Sequence, residues 1–179
     1  MPKRALAVAA LTTIAILIAC GSSNDTTSTP PVSKIVTFKA TLLPTGEPPG
    51  LQGNPTGSGT FTATLDTSTN VFTFTGQFSG LTSNVNNGHI HGPFTVGGAA
   101  ASAGVILNFN TLPGGTFVGF GSSTSGSVSG TTTLVAGTQI SATVNGDSLK
   151  KLLLAGLTYV NIHTTTNPGG EIRGQLLKQ

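Results

Sequence analysis

Apolar and polar residues alternate with a period of two over most of the chain after residue 34. In residues 59–66, Phe, Ala and Leu occupy every second position and Thr fills the positions between them. Such alternation is typical of strands that bury one face and expose the other. On this basis we predict ten strands, over residues 34–43, 59–66, 70–78, 87–91, 104–109, 116–120, 128–135, 139–144, 157–163 and 170–177.

Turn sequences separate these strands, and the polar segment 66–70 joins two of them as a hairpin. Short strands with turns at roughly every eight to twelve residues predict an antiparallel sandwich or barrel rather than alternating strand–helix units. We therefore expect an all-β fold, a single antiparallel β-sandwich of the immunoglobulin-like or Greek-key type, over residues 34–179. One short helix is predicted over residues 147–155, capped by Asp147 or Ser148 and ended by Gly156.

The first twenty residues have the pattern of a targeting signal. Lys3 and Arg4 precede an apolar run over residues 5–19, which ends in Leu-Ile-Ala before Cys20. This pattern is typical of a bacterial lipoprotein signal peptide, which is cut before a Cys that then carries the lipid. An ordinary secreted protein or an uncleaved anchor is the alternative. We expect a signal peptide over residues 1–19, a lipidated Cys20 with a flexible linker over residues 20–33, and a location on the periplasmic or extracellular face of the cell envelope.

The composition narrows the function classes. Only 7% of the residues are charged, and the chain contains 30 Thr and 16 Ser, as strand-rich sheets with polar outer faces require. Loss of the signal peptide with Lys3 and Arg4 reduces the net charge from +3 to +1. No cluster of basic residues is present, so we predict no binding of nucleic acid. A single Cys excludes a disulfide framework and a Cys-based zinc finger.

All three His residues lie in two short motifs. In the first motif, residues 88–93 with the sequence GHIHGP, the two His residues point to one face of a strand and the Ile points to the other. In the second motif, residues 159–164 with the sequence YVNIHT, the Tyr, Asn and His share one face. The turn sequence Asn-Pro-Gly-Gly at 167–170 is expected to fold residues 171–173 back beside that strand.

These two motifs, together with the run at 171–174, resemble the signature of the CHRD domain family. The residues that carry the resemblance are Gly88, His89, His91, Gly92, Tyr159, Asn161, His163, Thr164, Asn167, Pro168, Gly169, Gly170, Glu171, Arg173 and Gly174. The domain was recognised as a repeat in chordin, an extracellular antagonist of bone morphogenetic proteins, and it also occurs singly in microbial secreted proteins. The resemblance covers residues 36–177 and implies a β-sandwich module without an established reaction. Where the family has a Glu-Val-Pro-Pro turn, this chain has Glu47-Pro48-Pro49.

The first functional hypothesis is a non-catalytic binding or interaction module for an unknown protein or glycan ligand, attached to the membrane through the lipid on Cys20. The His residues would then form internal hydrogen bonds, as buried polar groups require. Asn161 and Thr164 would hold the turn, and Glu171 would pair with Arg173 or with a His. This hypothesis implies neither an enzymatic activity nor a cofactor.

The alternative is a metal site. Imidazoles from His89, His91 and His163, with Glu171 as a candidate fourth ligand, would suit Cu or Zn, with His89 and His91 favoured as ligands and His163 as a structural residue. The His-x-His pair also resembles copper–zinc superoxide dismutase, but this chain has too few His residues for that enzyme. No Gly-x-Ser-x-Gly sequence indicates a hydrolase. Only the metal hypothesis requires the three imidazoles to converge, with nitrogens within ~4 Å of a common point.

Overall fold

The computed structural model describes residues 34–95 and 102–179, and these residues form ten strands and one α-helix. The elements are β1 (Ile35–Leu42), β2 (Ser58–Asp66), β3 (Val71–Ser79), β4 (Val85–His91), β5 (Val105–Asn108), β6 (Thr116–Val118), β7 (Gly126–Thr133), α1 (Gly146–Leu154), β8 (Tyr159–Thr164), β9 (Ile172–Gln175) and β10 (Leu177–Lys178). A 3-10 turn, Pro44–Gly46, follows β1. The predicted signal peptide, Cys20 and the linker at 20–33 lie outside the described residues.

The strands form two antiparallel sheets. The large sheet has the order β10-β1-β2-β3-β7-β6, and the small sheet has the order β5-β4-β8-β9. Strands β1, β2 and β3 follow one another as a meander, and the polar turn after Asp66 joins β2 to β3 as predicted. The prediction of an all-β antiparallel sandwich with one short helix is confirmed.

A single apolar core is shared by the two sheets. In β2, Phe61 and Leu65 are buried while the Thr residues between them are exposed, as the alternation predicts. The ring of Phe61 stacks on Phe74 of β3 at 5.3 Å and on Phe109 after β5 at 5.7 Å between ring centroids. From the small sheet, Ile90 enters the same core and is completely buried. The aromatic residues therefore act as core-filling groups across both sheets.

The strand predicted over residues 139–144 is wrong. This segment is a closed turn, in which the backbone N–H groups of Ile140 and Ser141 both donate to the carbonyl of Val144 at 3.0 Å. One isolated bridge between Gln139 and Asn145 is its only ladder pairing. Ile140 and Val144 still pack against the core. A tight turn that buries two apolar side chains has the same apolar pattern as a short strand. The periodicity alone therefore could not distinguish a turn from a strand here.

The helix α1 begins and ends close to the predicted bounds, but its cap differs. Asn145, rather than Asp147 or Ser148, is the N-cap, and its side-chain oxygen accepts a hydrogen bond from the Ser148 N–H at 2.9 Å. Gly156 follows the helix with a φ of +68°, as expected of a C-terminal Gly. Among the described residues, no helix combines the length and the hydrophobicity that a membrane span requires.

The last predicted strand, 170–177, is divided between the two sheets. Strand β9 pairs with β8 in the small sheet, whereas β10 pairs with β1 in the large sheet. Between them, the Leu176 N–H donates to the Thr158 carbonyl at 2.9 Å and the Leu176 side chain is completely buried. The C-terminal segment therefore links the sheets at the edge beside the second sequence motif.

Candidate functional site

The two sequence motifs meet on the small sheet. Strands β4 and β8 are neighbours there, with His89 opposite Asn161 and His91 opposite Tyr159. Because side chains alternate along a strand, Ile90 faces the core and the two His residues face away from it. This outward face of the small sheet, the polar face, is covered rather than open to solvent. Its buried members are His89, His91, Tyr159, Asn161, His163 and Arg173.

Three imidazoles converge on the polar face, and we call His89, His91 and His163 the histidine triad. The Nδ1 atom of His89 lies 2.9 Å from the Nε2 atom of His163. One ring nitrogen from each residue can be chosen so that all three lie within 4.8 Å of one another. Each side chain is at most 7% exposed. The three imidazoles therefore converge, as the metal hypothesis requires and as three separate structural His residues would not need to do.

Hydrogen bonds from the backbone determine which ring nitrogens of the triad carry protons. Nδ1 of His163 lies 2.8 Å from the Pro168 carbonyl oxygen, and Nδ1 of His91 lies 2.9 Å from the Ala103 carbonyl oxygen. A carbonyl oxygen only accepts, so both Nδ1 atoms donate and both Nε2 atoms carry lone pairs. Nε2 of His163 faces His89, whereas Nε2 of His91 is buried without a hydrogen-bond partner. An unsatisfied buried lone pair of this kind is rare in folded proteins.

Burial keeps the triad neutral. Burial, followed by the nearby His163 and His91, lowers the pKa of His89 to about 3. Burial also lowers the pKa of His91 to about 4, against the hydrogen bond to Ala103 that raises it, and the pKa of His163 is lowered by burial as well. Neutral imidazoles offer lone pairs without first losing a proton, which is the form that binds metal ions.

Tyr159 forms an aromatic wall next to the triad. Its ring stacks on the His91 ring with centroids 4.8 Å apart and an interplanar angle of 4°. The guanidinium carbon of Arg173 lies 4.6 Å from the centre of the Tyr159 ring and 4.9 Å from that of Phe94. The Tyr159 hydroxyl accepts a hydrogen bond from the Ala103 N–H at 3.1 Å. Tyr159 thus orients the His91 ring by stacking and also makes a cation–π contact with the Arg173 guanidinium.

Glu47, which the motif analysis did not single out as a site residue, is a buried member of the site. Its side chain is 2% exposed, one carboxylate oxygen accepts a hydrogen bond from the Asn161 amide, and the other lies 3.9 Å from Nε of Arg173. Burial raises the pKa of Glu47 to about 7, although the positive charge of Arg173 opposes this rise. A signal was present, because Glu47 is one of five acidic residues in the chain and directly precedes two Pro residues.

The predicted role of Glu171 is wrong. Glu171 does not belong to the group of side chains that could share a metal, and it pairs neither with Arg173 nor with a His. Its carboxylate accepts hydrogen bonds from the Thr82 N–H at 2.7 Å, the Thr82 hydroxyl at 2.5 Å and the Thr164 hydroxyl at 2.7 Å. Burial alone would raise the pKa of Glu171, but these bonds lower it. Glu171 precedes β9, so strand alternation does not direct its side chain to the polar face.

The turn between β8 and β9 is held by Thr164, as predicted, and not by Asn161. The Thr164 hydroxyl accepts a hydrogen bond from the Asn167 N–H at 3.0 Å, and the Thr164 N–H donates to the Asn167 carbonyl at 3.2 Å. Asn161 instead donates to Glu47 and leaves its own buried carbonyl oxygen without a partner. This turn presents the Pro168 carbonyl to His163, so it positions a triad member.

The glycines of the motifs permit close approach of backbone and side chains. Gly170 has a φ of +128°, and a Cβ atom there would lie 2.6 Å from a carboxylate oxygen of Glu47. Gly174 lies against the Thr41 carbonyl, where a Cβ atom would collide with the backbone. At Gly88 and Gly92 a Cβ atom would come within 3 Å of core side chains or backbone. Gly169 has open space around it, so no contact explains that position.

The donor set of the triad is three neutral nitrogens. Imidazole nitrogen is a good ligand for both Cu and Zn, whose bonds to nitrogen are about 2.0–2.1 Å long. The hydrogen bonds from His91 to Ala103 and from His163 to Pro168 have the arrangement that orients metal-binding His residues. His163, expected as a structural residue, is hydrogen-bonded in that way but also contributes a nitrogen to the triad. The residues present therefore fit either ion.

The comparisons with known proteins identify a domain family but no individual related protein. No curated protein and no solved structure matches the chain. The family model described as the CHRD domain matches residues 38–176. The match begins within β1, runs through β9 and includes both His motifs and Glu47, so it contains every residue of the site described above. Because the match covers most of the chain, this protein belongs to the CHRD domain family.

Proposed function

We propose that this CHRD domain is a non-catalytic binding module held at the outer side of a membrane by a lipid on Cys20, and that its ligand is one Cu or Zn ion at the histidine triad. Membership of the CHRD family supports an extracellular type of binding module. The lipoprotein pattern before Cys20 supports the anchor. The convergence of three neutral imidazoles supports the ion.

One observation carries the choice of a metal as ligand. The buried Nε2 atom of His91 has no hydrogen-bond partner, although its Nδ1 atom donates to Ala103. A structural His would satisfy both nitrogens, because an unpaired buried polar atom costs about 1–3 kcal/mol. A metal ion shared with His89 and His163 would satisfy this lone pair and would replace the hydrogen bond between the other two rings. The triad is therefore better explained as three metal ligands than as three His residues that form only structural hydrogen bonds.

The test is elemental analysis of the protein purified without a polyhistidine tag, after incubation with Cu or Zn and removal of free ion. We expect about one ion per chain, and none in a variant that carries His89→Ala and His91→Ala. An Asp147→Asn variant is the control, because it alters an exposed acidic residue on the helix, outside the triad, and it should retain the ion. Absence of metal from the unmodified protein after incubation with Zn(II), with Cu(II) and, under reducing conditions, with Cu(I) would disprove the proposal.

A glycan is the second candidate ligand of the module. An open groove of about 550 Å³ crosses the large sheet and is lined by hydroxyl and amide groups, which can bind sugar hydroxyls. Its polar side chains are Thr41, Ser58, Thr60, Gln77, Ser79, Ser125 and Ser127. Glycan-array binding that is lost in a Gln77→Leu variant would support this candidate. Equal binding by the variant, or no binding by either protein, would exclude it.

A further inference from the structure

No acidic side chain in the described residues joins the histidine triad. Asp66 accepts hydrogen bonds from Ser68 in the turn after β2, and Asp147 pairs with Lys151 on the helix. Glu171 is held by Thr82, Thr164 and Asn167, and Glu47 by Asn161 and Arg173. No carboxylate contributes to the pKa shift of any triad member. The triad would therefore bind an ion with neutral ligands alone.

The hydrogen-bond partners of His91 and His163 in the backbone are also neutral. The hydrogen-bond acceptors behind His91 and His163 are the backbone carbonyls of Ala103 and Pro168, not carboxylates. Arg173 is close enough for its positive charge to lower the pKa of His91. A cation at the triad would thus be repelled by Arg173, whose charge Glu47 neutralises only in part because burial raises the pKa of Glu47 to about 7. Among the described residues, no carboxylate would bind the ion itself.

This electrostatic setting distinguishes between ions of different charge. The free energy of moving an ion out of water rises with the square of its charge, so a divalent ion costs about four times as much as a monovalent ion of the same size. Repulsion from a guanidinium doubles when the charge of the ion doubles. Resting on the proposed function, we infer that the histidine triad is a site for monovalent copper, Cu(I), held by three imidazoles in preference to Zn(II) or Cu(II).

Cu(I) also matches the number of ligands. Three nitrogen donors are available within 4.8 Å of one another, and within residues 34–95 and 102–179 no carboxylate joins them. A structural Zn(II) site normally has four protein ligands, and a three-ligand Zn(II) site adds water or an anion. Cu(I) is stable with three ligands and needs neither. The buried position of the triad, with each His at most 7% exposed, favours an ion that does not require an additional hydrated ligand.

The experiment is a competition titration of the whole protein against chelators of known affinity. Cu(I) is measured anaerobically with bicinchoninate, and Zn(II) and Cu(II) are measured with their own chromophoric chelators. We expect a dissociation constant for Cu(I) that is lower than that for Zn(II) on the order of 100-fold. Tighter binding of Zn(II) or Cu(II) would overturn this inference and leave the proposed function intact. Failure of all three ions to bind would overturn both.

An Asn161→Asp variant tests the electrostatic cause. Asn161 lies opposite His89 and its amide donates to Glu47, so the variant also carries Glu47→Gln, whose amide can donate to the new carboxylate. The two substitutions together place a negative charge next to His89 with little change in shape. We expect the ratio of affinities to shift towards Zn(II) by roughly tenfold. An unchanged ratio in a variant that melts as the unmodified protein does would contradict the electrostatic argument. If the variant does not fold, the titration of the unmodified protein decides the inference.

Discussion

The Nδ1 atom of His89 lies 2.9 Å from the Nε2 atom of His163, although 74 positions separate the two residues in the chain. The pairing of β4 with β8 brings them together, and the turn after β8 directs Pro168 to the far side of the His163 ring. Both rings are neutral because burial lowers their pKa values. Because Nε2 of His163 carries the lone pair, Nδ1 of His89 carries the proton of this hydrogen bond. Two ligands of one tetrahedral ion lie about 3.3 Å apart, so an ion would replace this proton with a small increase in separation.

Metal should stabilise the unmodified protein but not a His91→Phe variant. Phe has a shape similar to that of His, keeps the stacking on Tyr159 and removes the lone pair at Nε2. At a free metal concentration 100 times the dissociation constant, the free energy of unfolding should rise by about 2.7 kcal/mol in the unmodified protein. Urea unfolding with and without metal measures this difference. Equal stabilisation of both proteins would show that the ion binds elsewhere.

Glu171→Gln should destabilise the fold without removing the metal. The substitution replaces an oxygen that accepts hydrogen bonds from Thr82 or Thr164 with an amide that donates, so two donors face each other in a buried position. We expect a loss of about 2–4 kcal/mol in the free energy of unfolding. The control is Asp147→Asn, which breaks the exposed pair with Lys151 and should cost at most about 0.5 kcal/mol. Similar losses in the two variants would contradict this role of Glu171.

Glu47 should make the protein less stable as the pH rises. Burial raises the pKa of Glu47 from 4.5 to about 7 in the fold, so the folded protein holds this proton more tightly than the unfolded chain does. The stabilisation is complete below pH 4.5 and is lost as the pH rises through 7, with a total change of about 3 kcal/mol. His89 and His91, whose pKa values are lowered, have the opposite effect and lose stability as the pH falls below 6.5.

A Glu47→Gln variant separates these two effects. It removes the titrating carboxyl but keeps an oxygen that can accept from the Asn161 amide. The difference in unfolding free energy between the unmodified protein and the variant should fall by about 3 kcal/mol from pH 4.5 to pH 8. Urea unfolding at intervals of half a pH unit measures it. A difference that does not change with pH would show that Glu47 is ionised in the fold throughout this range.

Cys20→Ser should release the protein from the membrane. The lipoprotein pattern requires the Cys thiol for attachment of the lipid, and Ser cannot replace it. We expect the unmodified protein in the detergent phase of a Triton X-114 extract and the variant in the aqueous phase or unprocessed. Mass spectrometry of the N-terminal peptide should find a lipid on Cys20 and a chain cut after Ala19. An unmodified Cys20 in the mature protein would contradict the predicted anchor.

The strands and the shared face of the His residues could be predicted because they follow from local alternation. A period of two places His89 and His91 on one side of β4 and Tyr159, Asn161 and His163 on one side of β8. In the folded sheet β4 pairs with β8, which brings these two sets of side chains together. The sequence did not indicate that this face is covered, because the covering groups belong to distant loops. Ala103 and Pro168 act through backbone carbonyls, which carry no sequence signal.

Long-range polar contacts limited the prediction of the acidic residues. Glu47 contacts Asn161 from 114 positions away, and Glu171 is bound by Thr82 from 89 positions away. The sequence predicted a pair between Glu171 and Arg173 because the two residues are close in the chain. In the structure, Arg173 instead stacks on Tyr159 and donates to the Gly46 carbonyl at 2.6 Å. Hydrogen-bond partners across a sandwich depend on sheet order, and no residue pattern near Glu171 contains that information.

The central claim is that one ion binds among His89, His91 and His163. The most direct measurement is the anomalous difference density of a crystal of the metal-loaded protein, collected on both sides of the copper absorption edge. We predict one peak bounded by a ring nitrogen from each of the three residues at about 2.0–2.1 Å, with the bonds to Ala103 and Pro168 retained. A triad with no peak in a loaded crystal, or a peak bound by other residues, would contradict the account.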